Sequence, residues 1–76
     1  MNSFDILEKW IEMARTRSGS KSNRHLGYLM NAQDFLTGVL HSQKTLNKTI
    51  KFIEQNIKDT EERQQIVNDL TGRIHV

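Results

Sequence analysis

The side chains that could do acid–base, nucleophilic or metal chemistry are few and widely spaced in this chain of 76 residues. His25, His41 and His75 each lack a second ligand three or four residues away, the spacing that a helical metal site needs. Cysteine is absent, which excludes a disulfide, a thiolate metal site and a cysteine nucleophile. The sequence also contains no phosphate-binding glycine loop, no GxSxG and no HExxH. We therefore predict that the chain is not an enzyme and has no catalytic residue, metal site or cofactor.

The positive charges concentrate in the middle of the chain, while all acidic residues except Asp34 lie towards its two ends. Residues 13–33 contain no acidic residue and carry four cations: Arg15, Arg17, Lys21 and Arg24. A small, basic protein that binds nucleic acid with residues 15–25 is therefore the alternative function, because such hydroxyl-rich segments suit phosphate contact. A solvated loop is the simpler interpretation, since no aromatic residue lies within the basic run and the net charge is only +2. Likewise, Lys44, Lys48 and Lys51 line one side of the long helix predicted below, opposite its apolar stripe, as an ordinary solvated face would.

Hydrophobic periodicity places these residues on helices. Apolar residues recur at steps of three and four, and the chain has no proline and only four glycines, a composition typical of helix throughout. We predict an all-α fold: a single domain over residues 1–76, built as a small helical bundle of three to four helices around a long central helix. The predicted elements are a helix at 4–16, a loop at 17–22, a long or kinked helix at 23–58 and a helix at 60–71.

The long helix is expected to kink or break briefly near Ser42 to Thr45, where the run HSQKT is polar all round. Ser42 or Thr45 is suited to cap a new helix there. Gly27 and Gly38 share a narrow face of the predicted helix at helical spacing. This face is either a thin solvent-facing strip or a surface that another backbone can approach closely.

The predicted long helix carries more apolar surface than so short a chain can cover. One apolar stripe begins at Tyr28 and continues to residue 57, and a second runs beside it over residues 26–40. Together they cover about 200° of the helix at about 100° per residue. Apolar surface of this extent marks an interface when it is not buried internally. We therefore predict a non-enzymatic protein that binds a protein partner, or a second copy of itself as a homo-oligomer, through Tyr28, Phe35, Val39, His41 and Phe52, each of which is equally compatible with the core.

The N-terminal segment predicts a cytoplasmic protein. Asp5 and Glu8 lie among its apolar residues, unlike the basic start and unbroken apolar core of a signal peptide. No window approaches the roughly 18 apolar residues of a membrane span. The absence of cysteine fits a reducing compartment.

The run NRHLGYLMNAQDFLTGVLHSQ at residues 23–43, preceded by the helical segment FDILEKW at residues 4–10, resembles the lysis-inhibition accessory proteins (RIII) of T-even bacteriophages. The resemblance covers most of the chain. It implies a cytoplasmic antiholin, a protein that binds the soluble cytoplasmic segment of the phage holin and delays host lysis. It supplies no site residues, so the candidate interface rests on the apolar stripes.

Overall fold

The computed structural model describes residues 1–16, 20–39 and 41–72, without the side chains of residues 20–22. Within these ranges there are four α-helices and no strand: α1 (Ser3–Arg15), α2 (Ser20–Leu36), α3 (Gln43–Asn56) and α4 (Thr60–Thr71). The prediction of an all-α fold, a small helical bundle, is confirmed. None of the helices in the described part of the chain combines the length and the apolar composition needed to cross a bilayer.

Short polar side chains begin three of the helices. The caps of α1, α3 and α4 are Asn2, Ser42 and Asp59, and each accepts a hydrogen bond from the backbone N–H three residues later, at 2.8–3.2 Å. A cap of this kind contributes about 1 kcal/mol, because it satisfies a backbone donor that has no partner inside the helix. These caps fix where the three helices start.

Two helices replace the single long or kinked helix predicted for residues 23–58. α2 ends at Leu36, and two residues later the φ of Gly38 is +92°, in the left-handed region. The backbone N–H of Val39 donates to the carbonyl oxygen of Asp34 at 2.9 Å, and that of Gly38 donates to Phe35 at 3.4 Å. This pair of bonds is a Schellman motif, which closes a helix around a left-handed glycine. The break therefore begins before the predicted position, and α3 starts at the Ser42 cap.

The loop predicted at residues 17–22 is shorter than expected. α2 begins at Ser20, so the second half of the predicted loop is helical. The first half, residues 17–19, lies outside the described residues.

Contacts between helices show that sequential neighbours run antiparallel. Gln33, near the end of α2, donates its amide hydrogens to the carbonyl oxygen of Phe4 at 3.3 Å and to Glu8 at 2.8 Å, both on α1. The start of α2 meets the end of α3, where the rings of His25 and Phe52 lie 5.1 Å apart. The end of α4 likewise meets the start of α1, where Ser3 contacts Asp69, so the bundle is of the up-down-up-down type.

Polar side chains also join the first helix to the last. Ser3 donates a hydrogen bond to Asp69, and Lys9 forms a salt bridge with Glu62. The indole N–H of Trp10 donates to the other carboxylate oxygen of Glu62 at 3.0 Å. We call these three contacts the α1–α4 clasp.

The core takes side chains from all four helices. Its buried apolar residues are Ile6, Leu7, Ile11, Ala14, Leu29, Ala32, Phe35, Leu46, Phe52, Ile53, Ile57, Ile66 and Leu70. Much of the apolar surface predicted to be in excess is therefore buried within the chain, because α3 folds back on α2 instead of extending beyond it. Met30, of the second stripe, stays exposed, and Leu40 lies outside the described residues.

Candidate functional site

An open groove of about 770 Å³ lies between α2 and α3. It is lined by Arg24, His25 and Tyr28 from α2 and by Lys48, Lys51, Phe52, Gln55 and Asn56 from α3. These residues meet because the two helices are antiparallel, so the beginning of α2 lies beside the end of α3. We call this site the α2–α3 groove.

Aromatic rings form the floor of the groove. Tyr28 and Phe52 are stacked, with ring centroids 4.7 Å apart and planes 15° from parallel. His25 meets Phe52 edge-on, at 5.1 Å and 84°. Aromatic contacts of this kind contribute about 0.5–1.5 kcal/mol beyond the area that they bury. The floor is therefore held in place by ring packing between the two helices.

The hydroxyl of Tyr28 is a polar group of this floor that remains available. It has no hydrogen-bond partner among the described residues. Every buried side-chain oxygen or nitrogen of those residues does have a partner, so this hydroxyl is not buried. The hydroxyl is therefore accessible from the groove, and it can donate to an acceptor on a bound molecule.

The rim of the groove is positively charged. The salt bridges in the described part of the chain join Lys9 to Glu62, Arg15 to Glu12 and His41 to Asp34, so the three groove cations take part in none of them. Those cations are Arg24, Lys48 and Lys51, and no acidic residue is among the residues lining the groove. Because like charges converge there without a counter-charge, the groove attracts anionic groups.

A smaller cavity of about 340 Å³ adjoins the groove and shares His25, Phe52 and Asn56 with it. Its other lining residues are Trp10, Met13, Ala14, Leu29, Ile57 and Lys58, which are mainly apolar. Trp10 is the only tryptophan in the sequence, and Met13 is 41% exposed. We call this cavity the apolar recess. A charged site and an apolar site thus lie side by side at one end of the bundle.

The structure separates the five residues predicted to bind a partner. Phe35 and Phe52 are only 6% and 9% exposed and belong to the core, and Tyr28 packs against Phe52 in the groove. Val39 and His41 lie in the connection between α2 and α3, where Val39 is 49% exposed. There the His41 ring lies 3.1 Å from Asp34 Oδ2 and 5.1 Å from the Phe35 ring. The predicted set therefore divides between the groove and the opposite end of α2.

Of the four cations predicted for nucleic-acid binding, the structure describes the side chains of Arg15 and Arg24. Arg15 is paired with Glu12 at 2.8 Å, whereas Arg24 lines the groove. Arg17 lies outside the described residues, and Lys21 belongs to α2 with its side chain outside them.

Sequence reasoning missed the residues that surround Arg24 in the groove. Lys48 and Lys51 were assigned to a solvated face, and His25, Gln55 and Asn56 were given no role. The spacing of the lysines was visible in the sequence. Their place beside Arg24 depends on the pairing of α2 with α3, which no local pattern encodes.

Among the described residues, no three histidine, cysteine or acidic side chains come together as a metal site would require. Comparisons with protein-family models, curated proteins and solved structures found no match to this chain. The functional argument therefore rests on the groove, the apolar recess and the sequence.

Proposed function

We propose that this chain is a small, non-enzymatic regulatory protein that acts by binding a protein partner. The observation that carries the proposal is the α2–α3 groove, in which cations without a salt bridge surround the half-buried rings of His25 and Tyr28 beside an apolar recess. Arginine and aromatic side chains are enriched where proteins bind one another, because they combine a large contact area with directed polar contacts. The arrangement suits a peptide segment with charged and apolar side chains.

The specific form of the proposal follows the resemblance to the T-even phage antiholins. In this form the partner is the soluble cytoplasmic segment of a phage holin, and the chain acts in the cytoplasm of the host cell. The mechanism is thermodynamic: binding delays lysis only if the chain has a higher affinity for the non-assembling state of the holin. To shift a two-state equilibrium from about 1:99 to 99:1, that preference must be about 10⁴-fold.

Titration of the purified chain with the soluble holin segment, followed by calorimetry and by amide chemical shifts, tests both parts of this proposal. We expect a saturable complex, with the largest shifts at the beginning of α2 and the end of α3. Absence of a complex would refute the antiholin form. A complex whose shifts lie on another face would refute the groove as its site.

Nucleic-acid binding is the second candidate, and the unpaired cations Arg24, Lys48 and Lys51 favour it. Against it, Tyr28 and Phe52 already stack on each other, so one face of each ring is unavailable to a base. A gel-shift titration with single-stranded DNA and RNA at low salt decides this point. Binding that weakens steeply with salt, and that Lys48→Gln with Lys51→Gln abolishes, would favour nucleic acid over a protein partner.

A further inference from the structure

We propose that the partner presents a short acidic peptide segment with one large apolar side chain, whose carboxylates bind the groove rim while the apolar side chain enters the recess. This inference rests on the proposed function and specifies the chemistry of the bound segment. It follows from the charges, the dimensions and the contiguity of the two cavities.

The charges specify an anionic segment. Lys58 lines the recess, so the two cavities together present four cations: Arg24, Lys48, Lys51 and Lys58. None of the four forms a salt bridge with a described residue, and no acidic side chain is among the residues lining either cavity. Within the lining of the two cavities the positive charges therefore have no counter-charge, and partner carboxylates would supply it.

The dimensions specify a short segment. The α3 wall of the groove runs from Lys48 to Asn56, which corresponds to about 12 Å at 1.5 Å per helical residue. An extended peptide covers that distance with about four residues at about 3.3 Å each. A few neighbouring carboxylates are therefore enough to meet the cations along this wall.

The recess specifies the apolar side chain. Trp10, Met13 and Leu29 line it from α1 and α2, and the 41% exposure of Met13 leaves apolar surface uncovered. Methionine adapts its conformation to an entering group, which suits a site that must close around a side chain. Because the recess shares Phe52 with the groove, one short segment can occupy both. Phosphates of a nucleic acid would bind the rim alone.

Trp10 makes the inference testable, because this single tryptophan lines the recess. The probes are a tryptophan-free peptide with Glu and Asp around a central Leu, its Gln and Asn counterpart, and its Ala-for-Leu counterpart. The fourth probe is a single-stranded oligothymidine. At physiological salt, we expect only the acidic Leu peptide to change Trp10 emission saturably. Replacing Leu by Ala should weaken binding about ten-fold or more and remove the emission change.

Two charge reversals on α3 provide a matched pair of variants. Lys51→Glu places a negative charge in the groove, and we expect it to weaken peptide binding about ten-fold. Lys44→Glu makes the same change in net charge at an exposed residue outside the groove lining, two helical turns from Lys51 and one turn from Lys48. Screening over about 8 Å at physiological salt limits its effect to the neighbouring Lys48, so we expect a smaller loss, of about two- to three-fold. Far-UV circular dichroism verifies that both variants fold.

Three results would overturn the inference. Equal losses in Lys44→Glu and Lys51→Glu would show that net charge alone is responsible. Oligonucleotide binding as tight as that of the peptide, without a change in Trp10 emission, would assign the rim to nucleic acid. Binding of the holin segment without binding of the acidic Leu peptide would preserve the proposed function and reject this chemistry.

Discussion

Replacing Gly38 by alanine tests whether two helices or one long helix form the middle of the chain. With φ at +92°, residue 38 has a backbone conformation that L-residues rarely adopt. A Cβ built there meets no heavy atom within 4 Å, so the expected cost comes from the backbone alone. Left-handed conformation costs an L-residue about 1–2 kcal/mol. We therefore expect Gly38→Ala to lower the free energy of unfolding by about 1–2 kcal/mol.

Gly27 provides the matched control, because it lies inside α2 and its Cβ would also enter open space. Alanine inside a helix is more stable than glycine by about 0.5–1 kcal/mol, since glycine loses more conformational freedom on folding. The same substitution should therefore stabilise the protein at Gly27 and destabilise it at Gly38. In a domain of this size, each 1 kcal/mol shifts the Tm by about 4–8 °C.

Urea and thermal unfolding followed by far-UV circular dichroism measure both effects. If Gly38→Ala were as stable as the native chain or more so, a helix would continue through residue 38. Arg24 and Lys51 are 27 residues apart in sequence, and a continuous helix would separate them by about 40 Å. The α2–α3 groove would then not exist, so this result would refute the site as well as the fold.

Three further substitutions, one of them a control, test the core and the α1–α4 clasp. Phe35→Ser should lower the free energy of unfolding by about 3–5 kcal/mol, because it empties a core position; Val39→Ser, at an exposed residue, should change it by no more than about 0.5 kcal/mol. Similar urea midpoints for these two variants would contradict the burial of Phe35. Glu62→Ala removes the acceptor of Lys9 and the indole N–H of Trp10, and should cost about 1 kcal/mol. We expect Trp10 emission to move to longer wavelength in this variant; unchanged emission and stability would argue against the clasp.

The helices could be predicted from hydrophobic periodicity and from capping residues in the sequence. Apolar steps of three and four located the helices, and Asn2 and Asp59 lie where short polar side chains cap α1 and α4. The end of α2 was missed although Gly38 marks it. Gly38 also lies at helical spacing from Gly27. The local sequence alone therefore does not show whether Gly38 belongs to one face of a continuous helix or ends a helix in a Schellman motif.

The candidate site could be predicted only in part, because it depends on contacts between segments that are distant in sequence. Arg24 belongs to the basic run that the sequence singled out, whereas Lys48 and Lys51 follow after the turn at Gly38. The excess of apolar surface was derived for one straight helix. Once α3 folds back, Phe35 and Phe52 enter the core instead of remaining on a surface for a partner.

The α1–α4 clasp also has a consequence for how the protein folds and unfolds. Its hydrogen bonds join residues 52–66 positions apart, far more than the separation between sequential helices. Closing so long a loop lowers the entropy of the chain before the clasp contacts can stabilise it. We therefore expect the helical hairpins to form early and the clasp to form late. Contacts formed after the transition state govern the unfolding rate more than the folding rate. Because Trp10 belongs to both the clasp and the recess, the lifetime of the binding surface depends on how slowly the first and last helices separate.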